Sequence, residues 1–255
     1  MQLATWNVNS ARARLPRILD WLATRSPDVV CLQEIKCIDE AFPREEIEDL
    51  GYQIETYGQK TYNGVAILSK RPMESLVRGF PGDPVDEEKR VIGATIDDLM
   101  LLNLYVVNGK TVGSDKYERK LKWLDQLAEF VAENYPMTEK VVLTGDFNIT
   151  FDDRDVHDPE AWHERILCST PEREALAKLM APGLHDAFRK FNEEAGHYTW
   201  WDFRTRGFQR GNGLRIDHFL VSDPALESCT GVEIDTEERG QAKPSDHAPV
   251  IATFA

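Results

Sequence analysis

Short apolar runs alternate with amphipathic segments along the whole chain. Leu3-Ala4-Thr5-Trp6 opens as a strand. From Arg12 to Ala23 the apolar positions Leu15, Ile18, Leu19 and Leu22 recur at the spacing of one helix face. Val29-Val30-Cys31-Leu32 is apolar on both faces, as in a strand covered on both sides. Residues 52–58, 64–69, 73–79, 91–97 and 100–107 read as consecutive strands of an antiparallel meander. The longest helix is predicted from Asp115 to Glu133, with Leu121, Leu124, Leu127, Ala128 and Val131 inward and Tyr135-Pro136 as its stop. Lys140 to Thr144 forms another strand, running into Gly145-Asp146-Phe147-Asn148. Asp152 to His163 reads as loop. Pro171 to Met180 and Leu184 to Phe191 read as helices, and Leu214 to Val221 and His247 to Thr253 as strands. No internal repeat or linker interrupts the pattern. Strands at both ends with helices between predict one α+β domain over residues 1–255, with two packed sheets flanked by helices.

Composition narrows the class. With 42% hydrophobic residues in a chain of 255, a sizeable core can form, which excludes global disorder. No run approaches the roughly 18 apolar residues of a membrane span. The opening MQLATWNVNSARAR lacks a basic-then-apolar signal layout, so a cytoplasmic location is expected. The four cysteines (Cys31, Cys37, Cys168, Cys229) show no C-x-x-C spacing, which favours buried thiols over disulfides or zinc. The formal charge of −14 argues against a generic polyanion binder. Any nucleic-acid contact must then come from a local basic strip.

Candidate chemistry sits at the ends of the apolar strands. Asn7 and Asn9 close the first, Gln33-Glu34 the second, Tyr105 the meander, and Asp146 with Asn148 the Lys140 strand. Asp217 lies in Arg215-Ile216-Asp217-His218, and Ser245-Asp246-His247 precedes the last strand. Singly, each has a structural explanation: Asn7 as a helix cap, Asp146 and Asn148 as turn formers. Asp217 is harder to explain that way, because a carboxylate in an apolar strand needs a partner. Jointly, the strand ends present a set of hard oxygen donors with no Cys/His cluster, which selects Mg²⁺ or Mn²⁺ over zinc. Mg²⁺ keeps several waters and works beside substrate phosphates. The added Asn, Tyr and Asp–His groups supply donors and a base for attack on a phosphoester. Residue types reach this chemistry but not the substrate.

At these residues the chain resembles the endonuclease/exonuclease/phosphatase superfamily and, within it, the bacterial exonuclease III-type AP endonucleases. The matching stretches are TWNVNSARAR, VVCLQEIK, YGQKTYNGVAILSK, YVVNG…VGSDKYERKLKWL, LTGDFNIT, TWWDFRTRGFQRGNGLRIDHFLVS and SDHAPV, in the family's order from first strand to last. The Trp–Arg stretch looks like the DNA-repair branch rather than the phosphatases.

The resemblance implies a four-layered α/β sandwich with its site at one end of two central, mostly antiparallel sheets. It implies one or two Mg²⁺ ions, with Mn²⁺ able to substitute. Glu34 would be the principal ligand, with Asn7 and Asp246 close by and Asp146, Asn148 and His247 around the metal and phosphate. Asp146 would orient or deprotonate the attacking water. Asn148 and His247 would hold the scissile phosphate, Asp217 would keep His247 oriented and cationic, and Tyr105 would lie near the developing charge. DNA contacts are expected from Asn9, Arg12, Tyr62, Asn63, Arg206 and Arg210, with Trp200 and Trp201 walling an abasic pocket. The wider basic set includes Arg14, Lys116 to Lys122, Arg204 and Arg215, with the phosphate-facing groups expected in the Arg12 and Arg204–Arg215 loops.

The implied partner is double-stranded DNA with abasic sites or blocked 3′ ends, acted on by a monomer. Cleavage 5′ to abasic sites, 3′→5′ exonuclease action and 3′-end cleaning are the implied activities. One departure stands out: Tyr105-Val106-Val107-Asn108-Gly109 has Val107 where many relatives carry Pro, which bears on the stiffness of the tyrosine loop. A superfamily phosphatase acting on phosphoinositides or nucleotides would share the metal residues but lack the Trp–Arg loop. A catalytically silent DNA-binding relative would have no reason to keep Glu34, Asp146, Asn148, Asp217, Asp246 and His247 together.

Overall fold

The computed structural model describes residues 1–255. Its strands, in chain order, are β1 (Gln2–Asn7), β2 (Val29–Gln33), β3 (Gln53–Tyr57), β4 (Val65–Ser69), β5 (Glu74–Arg78) and β6 (Val91–Ile96). There follow β7 (Leu99–Tyr105), β8 (Lys140–Asp146), β9 (Leu184–Asp186), β10 (Asp217–Ser222), β11 (Cys229–Ile234) and β12 (Val250–Phe254). They form two six-stranded sheets, ordered β11-β12-β1-β2-β4-β3 and β5-β6-β7-β8-β10-β9.

Pairing is antiparallel except between β1 and β2 and between β7 and β8. A parallel neighbour requires a crossover, and each pair has a helical one: Ala11–Arg25 in the first sheet, Asp115–Asn134 in the second. Each helix buries one face on the outside of its own sheet. Ile18, Trp21 and Leu22 pack with Trp6, Val30 and Leu32. Trp123, Leu124, Leu127 and Val131 pack with Leu102, Leu104, Val141 and Leu143. The alternate strand residues, among them Leu3, Val29, Cys31, Leu101, Val142 and Phe219, fill the space between the sheets. The result is helix, sheet, sheet, helix, and Val29 to Leu32 is covered on both faces as its composition predicts.

Several sequence expectations are corrected. The five strands from β3 to β7 exist, but they are not one meander: β3 and β4 belong to the first sheet, β5 to β7 to the second. A strand pattern fixes the facing of side chains, not which sheet edge accepts the strand. Leu184 to Phe191 is not a helix; it is the edge strand β9 and a 3₁₀ turn at Phe188–Lys190. The segment is too short to show a period, and pairing of Leu220 with Asp186 decides its form. The strand β11 carries no clear strand pattern in the sequence, its alternation being broken by Gly231 and a register shift. The strands expected from Leu214 and His247 begin later, β10 at Asp217 and β12 at Val250. The cysteines are free and buried, as expected.

The parallel pairs matter for function because β1, β2, β7 and β8 all run toward the same end of the sandwich. Ligands of parallel sheets gather outside the carboxyl ends of such strands. Just beneath that end a buried polar bridge ties the sheets together. Gln33 Nε2 donates to Asn103 Oδ1 at 2.7 Å, and Asn103 Nδ2 donates to the carbonyls of Leu32 and Ala66 at 3.0 and 2.9 Å.

Candidate active site

Asn7, the last residue of β1, joins the two sheets at their common end. Its Nδ2 donates to Glu34 Oε1 and to Asp146 Oδ2, both at 2.9 Å. Glu34 directly follows β2 with φ 52°, and Asn148 follows β8 with φ 51°; non-glycine residues there cost strain and gather at functional sites. Gly145 allows β8 to reach this place, since a Cβ on it would lie 1.9 Å from the Leu104 carbonyl oxygen. Asp146 is buried and well held: Oδ1 accepts the Asn148 backbone N–H at 2.9 Å and Oδ2 accepts Asn148 Nδ2 at 3.2 Å.

His247 completes the group. Its Nδ1 lies 2.9 Å from Asp217 Oδ2, and its Nε2 3.8 Å from Asp146 Oδ2. The backbone N–H groups of Ile216 and Asp217 donate to Thr199 Oγ1, which fixes the start of β10. Ligand atoms of Glu34, Asp146 and His247 all lie within 4.8 Å of one another, a carboxylate–histidine group able to hold an ion.

The electrostatics follow from burial. Burial alone would lower the imidazole pKa, but the carboxylates of Asp217 and Asp146 outweigh it and raise His247 to about 10. Burial pushes the Asp146 carboxyl up, against the pull of His247. Burial works against the Glu34 carboxylate too, yet Lys36 at 2.8 Å, together with Asn7 and His247, more than offsets it and holds the group below its usual range. Burial and the Glu34 charge keep the Tyr105 hydroxyl protonated.

Asp246 stands beside this group rather than in it. Its oxygens accept Asn9 Nδ2 at 2.9 Å and Trp200 Nε1 at 3.1 Å. Asn7 and Asn148 present amide N–H groups to the carboxylates. Trp200 is half-buried at the rim. Trp201 is 4% exposed and packs edge-on against Phe208 at 5.1 Å, so it supports the rim from behind and offers no free face. Arg12, Tyr62, Arg206 and Arg210 are exposed, and Asn63 is half-exposed. Arg215 is not in the basic strip: it is buried and paired with Asp155 and Asp186 at 2.7 and 2.6 Å.

Three site residues escaped the sequence reading. Arg90 lies 4.5 Å over the Tyr105 ring, with Nη1 donating to Tyr105 O at 3.1 Å and Nη2 to Asn63 Oδ1 at 3.0 Å. It steadies the tyrosine loop, as does Asn108, whose Nδ2 donates to Asn148 Oδ1 at 2.8 Å. Lys120, read as part of a basic surface, is fully buried and paired with Glu172, and its Nζ donates to Asn148 O at 2.7 Å. The signal was present: Lys120 shares the i, i+3, i+4 stripe of Tyr117, Leu124, Leu127 and Val131. A lysine on a core stripe demands a carboxylate.

Two packed sheets with carboxylates, amides and a histidine at one end form a group suited to a hard cation beside a phosphate. Residues 4–247 match the Endonuclease/Exonuclease/phosphatase family, and the chain belongs to that family. It is 37% identical to exodeoxyribonuclease III of Haemophilus influenzae, with both chains fully covered. It is 44% identical to a 3′ phosphatase from Neisseria bound to a product DNA hairpin, with TM-score 0.96 over 100% of this chain and 99% of that one. An AP endonuclease from Archaeoglobus fulgidus matches at 35% identity and TM-score 0.96, again over 100% and 99%. No helix is long and apolar enough to cross a membrane.

Proposed function

We propose that residues 1–255 act as one catalytic unit, a monomeric cytoplasmic DNA-repair nuclease. It hydrolyses phosphodiesters 5′ to abasic sites, removes nucleotides from 3′ ends and clears 3′ blocks. The observation that carries this reading is the bridge from Asn7 to Glu34 and Asp146, with the Asp217–His247 pair beside it.

The donor set fits a hard divalent cation. Its carboxylates are buried with oxygen and amide neighbours, every thiol lies elsewhere, and a positive ion would relieve the burial that raises Asp146. Glu34 and Asp146 would hold Mg²⁺ or Mn²⁺, one ion or two, with Asn7, Asn148 and Asp246 fixing the carboxylates around it. Asp217 and Asp146 raise the pKa of the His247 imidazole, which favours a role facing the phosphate over one as an ion ligand. When bound, the ion polarises the phosphate and neutralises developing charge.

The chain's own groups do the rest. Asp146 accepts the proton of the attacking water, a task suited to a carboxylate whose burial makes it more basic. Asn148 and cationic His247 hold the phosphate oxygens, and Asp217 Oδ2 keeps the imidazole turned toward them. Protonated Tyr105 donates to the leaving oxygen. Asn9, Arg12, Tyr62, Asn63, Arg206 and Arg210 approach the strand, with Trp200 at the abasic sugar. Parallel assays on an abasic duplex, a recessed 3′ end and a 3′-phosphorylated nick, each with Mg²⁺ or chelator, test the proposal. Cleavage of all three with Mg²⁺ and none with chelator is expected. An inert protein, or one active only on phosphoinositides or free nucleotides, would refute it.

A further inference from the structure

Three arginines are buried, and two of them are ion-paired. Arg90 meets Glu88 at 2.6 Å, and Arg215 meets Asp155 and Asp186. Arg239, which ends the short helix Thr236–Arg239, is different. It is 4% exposed, its Nε has no partner, and its only hydrogen bond is a long one from Nη2 to Trp201 O at 3.5 Å. The guanidinium lies between two rings, 4.6 Å from Phe203 and 5.0 Å from Phe208. Cation–π contact offsets part of the cost of desolvating it, but leaves its in-plane donors unsatisfied. A guanidinium does not escape by losing its proton, so the charge remains.

The Arg239 side chain borders a cleft of about 430 Å³, walled by Phe203, Arg206, Phe208, Gln209, Arg239 and Gln241 among others. No Asp or Glu lines it, in a chain carrying 44 of them. Two other clefts of similar character are neutralised from within. Arg17 and Arg25 share theirs with Asp20, Asp235, Glu237 and Glu238, and Arg71 and Lys140 share theirs with Asp97 and Asp98. Neither Arg239 nor Arg206 makes an ion pair, although the Asp246 charge acts on Arg239 from a distance, and a buried guanidinium with an orphaned donor beside a cleft without acids makes a place prepared for an anion. Phe203 is 41% exposed, so an apolar face accompanies the charge.

We propose that this cleft is a subsite for a backbone phosphate of the DNA strand, held by Arg239 and Arg206, with Phe203 and Phe208 against the attached sugar or base. It rests on the DNA reading of the neighbouring site. The phosphate concerned is not the scissile one. None of Glu34, Asp146 and His247 lines the cleft, and the bonds from Trp201 N to Asp246 O at 3.0 Å and from Trp200 to the Asp246 carboxylate lie beside it. A phosphate gripped there fixes the register of the strand across the catalytic group, the usual work of backbone contacts. It also explains how a chain of net charge −14 holds a polyanion: the positive charge is local and dehydrated rather than spread over the surface.

The test is a scan in which one uncharged methylphosphonate is moved linkage by linkage along a duplex, with binding measured in chelator. The wild-type protein should lose affinity by about tenfold at one linkage away from the scissile position, the size of a charge-assisted contact. In R239M, which keeps the packing between the rings, that minimum should disappear while the others stay. In R206Q it should shrink. Identical scans for wild type and R239M overturn the proposal. A wild-type scan with no minimum anywhere means that the DNA reading itself has failed. Free inorganic phosphate carries the same chemistry; if it binds only when Arg239 is present and leaves the scan flat, the strand-phosphate assignment is wrong. Thermal melting shows whether R239M folds, and if it does not, R206Q alone decides.

Discussion

The two ends of the sandwich are built from the same strands and differ in almost everything else. At the far end, charges sit at the surface in simple pairs. Lys140 meets Asp98 at 2.8 Å, Arg71 meets Asp97 and Asp28, and the Met1 amino group donates to Phe254 O at 2.6 Å. At the other end, Glu34, Asp146, Asp217 and Asp246 crowd around His247 and Lys36, mostly buried, on backbone that turns through positive φ at Asn9, Ser10, Glu34, Lys36, Asn63 and Asn148. Exposed pairs contribute little to stability, and buried carboxylates in strained turns cost it. Positive φ alone does not separate the ends, since Ser26 and Asp97 adopt it too; the buried charge does, and it supports the proposed site: one end closes the fold, while the other holds a charge arrangement that folding alone would not favour.

The comparison breaks most visibly if chemistry is absent from the strained end. Asp146→Asn should lower turnover by about 10²–10³-fold, the scale of losing one preorganised transition-state group, with little change in melting. Asp97→Asn at the far end should leave turnover unchanged. Single-turnover cleavage of an abasic duplex measures both.

Stability sharpens the contrast. Lys120→Met strands Glu172 without its partner in the core, at a cost of roughly 3–5 kcal/mol. Lys140→Ala removes an exposed pair, worth at most about 1 kcal/mol. Urea denaturation gives both numbers. The double variant Lys120→Met/Glu172→Gln should lose less than the sum of its two single changes, because neither change then leaves a charge unpaired.

A smaller effect appears along the pH axis. With His247 raised to about 10, its pairing supports the fold fully below the free value near 6.5 and is lost as pH rises through about 10. The metal-free protein should therefore lose stability over that window, and Asp217→Asn should flatten the decline. In the same variant, activity should fall off at lower pH than in wild type, and adding His247→Ala should cost little more. If the two losses multiply independently, the pair does not act as a unit.

Much of this was legible in the residues. Strand ends bearing Asn7, Glu34, Asp146, Asn148, Asp217 and His247 stand out because polar groups interrupt apolar runs at one pole of each strand. Their convergence was not legible locally. It depends on which sheet receives each strand, and the split of the supposed meander between the sheets shows that periodicity does not carry that information. Lys120 and Arg215 show the second limit. A basic residue in a sequence reads as surface until its carboxylate is found, and Glu172 and Asp186 lie 52 and 29 positions away. Arg239 shows the third. An arginine beside Glu237 and Glu238 reads as neutralised, yet Glu238 is taken by Arg17 at 2.5 Å.

A cation site formed by the carboxylates at the strained end, serving phosphoester cleavage, is open to direct measurement. The direct measurement is Mn²⁺ binding, followed by the paramagnetic signal of the free ion, in wild type and Glu34→Ala, alongside cleavage of an abasic duplex at each metal concentration. Saturable binding that tracks cleavage in the wild type, and is weakened together with it by at least about tenfold in Glu34→Ala, is the predicted result. Undiminished cleavage in chelator, or equal Mn²⁺ affinity in the two proteins, would contradict it.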